Sequence, residues 1–352
     1  MKSYLIGIAI LYLFALTGCA ASSLEPGVDR GDATIVSEII AHGTEGLRLR
    51  GVRESPLGES RGAILLLGPA DRRDMDARLP DGARPNAALS RELAKRGWTI
   101  LRFEEPSRVG ERLTPIQRAN VYSGVIEELL SENSALCLSI VGWGDSSSVA
   151  ILLADRFKQV RRCVFLSPQT QSGRDHMMMM ESEYLRRQGW DEDRIDAYLR
   201  VAHQVVFQSI VDGRILDRAQ FVAQVSELDA AAIGELHVEI LWRRYLNGIR
   251  SVAAALALRD DPVRWFESLE KPWLVVYGAG DKGYLARPFG SQKLNAVGHT
   301  PQLIAIEGVL ADLRDPGSTS SVDSRVIEAV SNWLDAQSSG SGEVRRTAVT
   351  TD

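Results

Sequence analysis

The sequence predicts an α/β architecture: a mostly parallel eight-stranded sheet with helices on both faces and a helical insert late in the chain. Three observations carry this. Short, wholly apolar β-rich runs recur along the chain and alternate with stretches of helical period, as strands buried on both faces require. The first two β-rich runs, Thr34 to Ile40 and Leu47 to Val52, are close enough to form an opening hairpin. A segment from about Gln169 to Leu269 then breaks the alternation and carries helical periodicity alone.

The elements follow in order. Lys2, the apolar run Leu5 to Leu16 and the sequence Leu16-Thr17-Gly18-Cys19 read as an export signal, because the run is too short to span a bilayer and small residues precede the cysteine. It resembles the lipobox of bacterial lipoproteins, which implies a signal peptide over 1–18 and lipidation at Cys19. Residues 19–33 are small and polar and read as a tether. The core is expected over 34–168 and 270–336. After the hairpin, strands are expected at Ala63 to Leu67, Thr99 to Phe103, Cys137 to Val141, Cys163 to Leu166, Trp273 to Tyr277 and Leu303 to Ile306. The helices between them include Pro85 to Arg96, Pro115 to Leu130, Ser147 to Phe157 and Val326 to Ala336. The helical cap occupies 169–269, and 337–352, dominated by Ser, Gly and Thr, reads as a disordered tail.

Composition narrows the function classes. With 41 Lys plus Arg against 46 Asp plus Glu, and no long basic run, the chain lacks the electrostatic footprint of a nucleic-acid partner. Three cysteines cannot build a disulfide scaffold. Cys137 and Cys163 open what should be neighbouring strands, so a disulfide and two buried thiols are both open readings.

Local motifs add a family resemblance. Gly68-Pro69-Ala70-Asp71-Arg72-Arg73-Asp74 resembles the Gly-Pro-x-Asp-Arg-Asp turn of a bacterial serine hydrolase subfamily. Leu89 to Phe103 is similar to that family's helix-to-strand passage, and Asp261-Pro262 through Asp281 to the segment that delivers its catalytic acid. Covering about residues 34 to 336, the resemblance implies the α/β-hydrolase fold, and with it a Ser on a sharp strand-to-helix elbow, an acid and a His.

This chain departs from that triad. Aligning both the strand end Ile140-Val141 and the helix run Val149 to Ala154 puts Gly144, which has no side chain, at the nucleophile position. A frame shifted by two offers Ser146 instead, but it turns the following helix by about 200° and takes its apolar face off the sheet. The three serines 146–148 and Asp145 also suit a plain helix start. Asp281 stands where the acid is expected, although Asp is also a common turn residue. Ala311 stands where the family has His, and His299 precedes the last strand instead of following it. His42 lies in the hairpin; His176, His203 and His237 lie in the cap, from where one could reach the elbow.

Met177 to Met180 occupy consecutive helix positions that point to four sides, so they and His176 make no metal set. Neither a metal nor a cofactor is expected. Trp190, Trp242 and Trp265 read as cap packing. The expectation is therefore a lipid-anchored protein of the bacterial cell envelope, on the outer membrane facing the periplasm in a host that has one. It would be a catalytically inactive relic with a binding or scaffolding role, its partners the membrane and a small apolar ligand or a protein. The alternative is an ester or thioester hydrolase acting through Ser146 and a cap histidine.

Overall fold

The computed structural model describes residues 34–69, 74–106, 113–134, 136–169, 173–228, 233–249, 262–279, 302–309, 313–314 and 322–338. Cys19, Asp281, His299, Ala311, the signal, the tether and nearly all of the tail lie outside them. Among the described residues no helix is long and apolar enough to cross a membrane.

Eight strands form one sheet in the order β1-β2-β4-β3-β5-β6-β7-β8. They are β1 (Thr34–His42), β2 (Arg48–Pro56), β3 (Ala63–Leu67), β4 (Thr99–Phe103), β5 (Leu138–Trp143), β6 (Val160–Leu166), β7 (Trp273–Gly278) and β8 (Gln302–Ile306). β1 and β2 pair antiparallel, β2 pairs antiparallel with β4, and every later pairing is parallel.

Alternation along each strand sends its side chains to two separate cores. Leu65 and Leu67 join one cluster while Ile64 and Leu66 join the other. The first cluster is closed by α2 (Pro115–Glu132) and α3 (Ser146–Arg156), the second by α1 (Pro85–Lys95) and, at the end of the chain, α10 (Ser324–Ser338). Helix α2 starts on a capping box, in which Thr114 and Gln117 satisfy each other's backbone N–H groups after a proline-compatible first turn.

Between β6 and β7 the described elements are helical: α4 (Gly173–Arg187), α5 (Glu192–Val201), a π-helical stretch (Ala202–Phe207), α6 (Gln208–Asp212), α7 (Arg218–Glu227), α8 (Glu235–Ile249) and α9 (Pro262–Ser268). Helices α5 to α8 share their own apolar cluster, built on Tyr198, Phe207, Phe221 and Tyr245, with Trp190 and Trp242 packed against it. Trp265 differs from expectation. It packs on the sheet's first cluster, because α9 places Phe266 against Phe165 and Trp273, with ring centroids 4.9 and 5.3 Å apart.

The cysteine question is settled by register. Leu138 pairs with Val160 and Ile140 with Cys163, so Cys137 and Cys163 are staggered along their strands as well as one strand apart. That separation is roughly 10 Å or more, too far for a disulfide. Neither cysteine is in a disulfide, and burial pushes the pKa of the Cys163 thiol up to about 12.

Candidate functional site

The elbow lies where β5 ends and α3 begins. Gly142, Trp143, Gly144, Asp145 and Ser146 make a reversal so tight that a Cβ on Gly142 would stand 2.9 Å from the Ser146 carbonyl oxygen and 3.0 Å from Ser147 Cα. Gly142 is therefore the first obligatory small position. Gly144 forms the tip, with φ +60°, the left-handed conformation a side chain resists. Among the described residues the nearest atom to a Cβ placed there would be Pro69 Cβ, at 4.0 Å. The tip is stitched to the neighbouring strand, since Gly144 N–H donates to the Leu166 carbonyl at 2.9 Å and its own carbonyl accepts from Gln169 N–H at 3.3 Å.

Ser146 is fully buried. Its Oγ donates to the Gly68 carbonyl in a short hydrogen bond and accepts from Arg118 Nη2 at 2.5 Å. The hydroxyl proton is thus committed to a backbone carbonyl, and a lone pair to a guanidinium. This arrangement ties the turn after β3 to the start of α3.

Arg118 is the residue that sequence reading missed. It comes from α2, its side chain is 2% exposed, and it pairs with Glu105 through both carboxylate oxygens, one of them at 2.9 Å, and with Asp145 at 3.7 Å. Burial alone would lower its pKa, but Glu105 and Asp145 hold it above the usual value. Tyr122, one turn further along α2, is held well above the ordinary phenol range by burial and by Glu105. Arginine at a helix position that faces a buried carboxylate has no separate signature in sequence. A charged residue inside an otherwise apolar stripe of α2, where Ala119, Tyr122 and Ile126 face inward, was the available hint.

The histidines are accounted for as follows. His42 is exposed and lies 3.5 Å from Glu128. His237 packs edge-on against Trp190, centroids 4.3 Å apart, and burial and Arg194 lower its pKa. His203 sits in the π-helical stretch and is lowered by burial and by Arg174. Both hydrogen-bonding directions of the Ser146 hydroxyl are used by Gly68 and Arg118 instead of an imidazole. Asp281, Ala311 and His299 lie outside the described residues, as does the side chain of His176. Among the described residues no cluster of His, Cys, Asp or Glu could hold a metal ion.

Comparison with solved structures places this geometry. A proline iminopeptidase of Mycobacterium smegmatis superposes with a TM-score of 0.52 at 13% identity, covering 87% of this chain and 100% of that one. The chain has the α/β-hydrolase fold. A hypothetical protein of Pseudomonas aeruginosa (TM-score 0.52, 14% identity, 88% and 95% covered) and a Pyrococcus furiosus esterase (0.51, 10%, 89% and 94%) are similar to the same extent. No protein-family model and no curated protein matches. At the carboxyl end of β5 the tip of the elbow is a glycine, Gly144.

Ser167 adjoins it. This residue follows β6 directly, has φ +43° and carries an Oγ that is buried without a hydrogen-bond partner. Nothing in the sequence marks it, since serine gives no cue to the sign of φ.

Proposed function

We propose that this protein is a lipid-anchored α/β-hydrolase-fold protein of the bacterial envelope whose cleft binds or scaffolds and does not hydrolyse esters. Gly144 is the observation that carries the reading. Acyl transfer needs a hydroxyl or thiol at the elbow tip with a base in contact, and glycine provides neither. Its φ of +60° also means that the backbone keeps the elbow's shape at no steric cost. The competing reading, hydrolysis through Ser146 and a histidine, gains nothing from a buried hydroxyl bonded to Gly68 and Arg118.

The anchor rests on the lipobox-like Leu16-Thr17-Gly18-Cys19. In a host with two membranes the protein would sit on the outer one, facing the periplasm. The turn of Gly68, Pro69 and Asp74 supports kinship with the Gly-Pro-x-Asp-Arg-Asp hydrolases. Asp74 is a turn staple there, accepting N–H groups of Asp76 and Arg78 at 3.0 and 3.1 Å.

Two measurements test this. The purified protein should show no turnover of aryl esters above background and no labelling by a fluorophosphonate probe; labelling that disappears in Ser146→Ala would overturn the inactive reading. Cys19→Ser should abolish detergent-phase partitioning or leave an unprocessed precursor, and unchanged partitioning would remove the lipid anchor from the proposal.

A further inference from the structure

Strand register lines up one end of the sheet. Thr34 pairs with Pro56, Ala63 with both Thr99 and Leu138, and Leu138 with Val160, while β2 meets β4 antiparallel with Glu54 opposite Ile100. Thr34 and Pro56 therefore lie level with the amino ends of β3, β4, β5 and β6. Gly144 is at the other end of β5, roughly 20 Å from Leu138 along the strand. The tether over 20–33 joins Cys19 to the chain at Thr34, on the amino-end side, and its fourteen residues reach at most about 50 Å.

The chemistry of this end differs from that of the chain as a whole. Ile35, Val36 and Leu57 are 52%, 59% and 65% exposed and share the end of the hairpin where Thr34 faces Pro56. Such a group of large apolar side chains in water marks a surface that an apolar partner would cover. Basic residues flank it. Arg96 precedes β4, and the exposed Lys158 and Arg161 lie at the start of β6. Extending the pairing of Cys163 with Trp273 by two residues places Arg161 beside Lys271. Segments 96–98 and 157–162 contain no acid, in a chain with 46 acidic residues against 41 Lys plus Arg. Glu59 and Glu270 lie on the neighbouring connections, and Arg61 there is paired with Asp335 at 2.7 Å.

We infer that the amino end of the sheet is a docking surface for an anionic phospholipid bilayer. Ile35, Val36 and Leu57 enter the boundary between headgroups and acyl chains, while Arg96, Lys158 and Arg161 meet the lipid phosphates. This rests on the lipid anchor proposed above and adds which face the anchored protein turns to its membrane. The tether is long enough to allow many orientations, and the apolar and basic groups select one. The elbow at Gly144 then faces the aqueous side, away from the bilayer.

The test is hydrogen exchange read by mass spectrometry on the full-length protein, purified from membranes and placed in two kinds of lipid nanodisc. One is phosphatidylcholine alone, the other equal parts phosphatidylcholine and phosphatidylglycerol. Amides of 34–37 and 57–61 should exchange several-fold more slowly on the anionic discs, with those of 76–84, at the opposite end of the sheet, unchanged. Lys158→Glu with Arg161→Glu should abolish the difference between the discs. Val36→Ser with Leu57→Ser should remove the protection on the anionic ones. All four side chains are exposed, so exchange in β3 to β7 should stay as in wild type. Equal exchange of the hairpin end on both discs, or protection that survives the charge reversal, would overturn the inference. So would slowing at α8 instead, whose exposed Leu236 and Ile240 would then put the cap on the bilayer. The mass of the Cys19 peptide separates the two readings: an acylated protein with an unprotected hairpin end refutes this inference alone, whereas an unmodified Cys19 refutes the anchor and the inference with it.

Discussion

Gly144→Ser is the perturbation that bears most directly on the elbow. The structure separates its two costs. Among the described residues the new Cβ meets no clash, the nearest atom being Pro69 Cβ at 4.0 Å. Conformationally it forces a side chain onto φ +60°, a strain of about 1–3 kcal/mol. For a fold of about 300 residues this corresponds to a melting temperature lower by roughly 2–5 °C. Gly142→Ala is the control. There φ is unremarkable, but the added methyl would press on the Ser146 carbonyl, Ser147 Cα and Ala150 Cβ at 2.9 to 3.0 Å, so α3 itself must move. Overpacking against backbone costs at least about 1–3 kcal/mol, with no flexible side chain to yield. Differential scanning calorimetry of both variants should therefore show a modest drop for Gly144→Ser and a larger one for Gly142→Ala. An unchanged or higher melting temperature for Gly144→Ser, or a milder effect at Gly142, would refute the assignment of Gly144 as the strained tip.

Arg118→Met should destabilise by about 3–5 kcal/mol, because Glu105 is left buried without the guanidinium as counter-charge. Arg118→Met combined with Glu105→Gln should recover part of that loss in urea unfolding, and strict additivity of the two changes would show that they do not form a pair. Under native conditions a water-soluble thiol reagent should modify the half-buried Cys137 ahead of Cys163, whose thiol is buried and raised to about 12. Simultaneous modification of both would contradict the packing of β6.

The strands were legible because burial on both faces leaves wholly apolar runs, and β3 and β4 fall where those runs do. Ends were less legible, each for a local reason. β5 continues through Gly142 and Trp143, which still pair with Phe165 and Leu166 although glycine breaks the apolar pattern. β6 begins at Val160, through two arginines that read as loop. Arg162 is accommodated because its guanidinium donates to the Leu334 carbonyl at 2.6 Å and lies 5.8 Å from the centre of the Trp98 ring. The place of Gly144 in the turn between β5 and α3 was legible, since the strand end and the helix run on either side bracket it. The fate of Ser146 was not, because it depends on Arg118 and Gly68, brought in from α2 and the end of β3. Trp265 was assigned to the cap on chain position alone, whereas its helix follows the apolar demand of Phe165 and Trp273.

The self-contained apolar cluster of α5 to α8 has a consequence for how the molecule opens. Its buried side chains contact one another and appear in neither of the sheet's clusters, so little of the free energy that keeps the sheet closed is shared with the insert. Amide protons of these helices can then exchange through a local opening that leaves β3 to β7 intact. The insert would then open at a rate set by its own stability and independent of global unfolding.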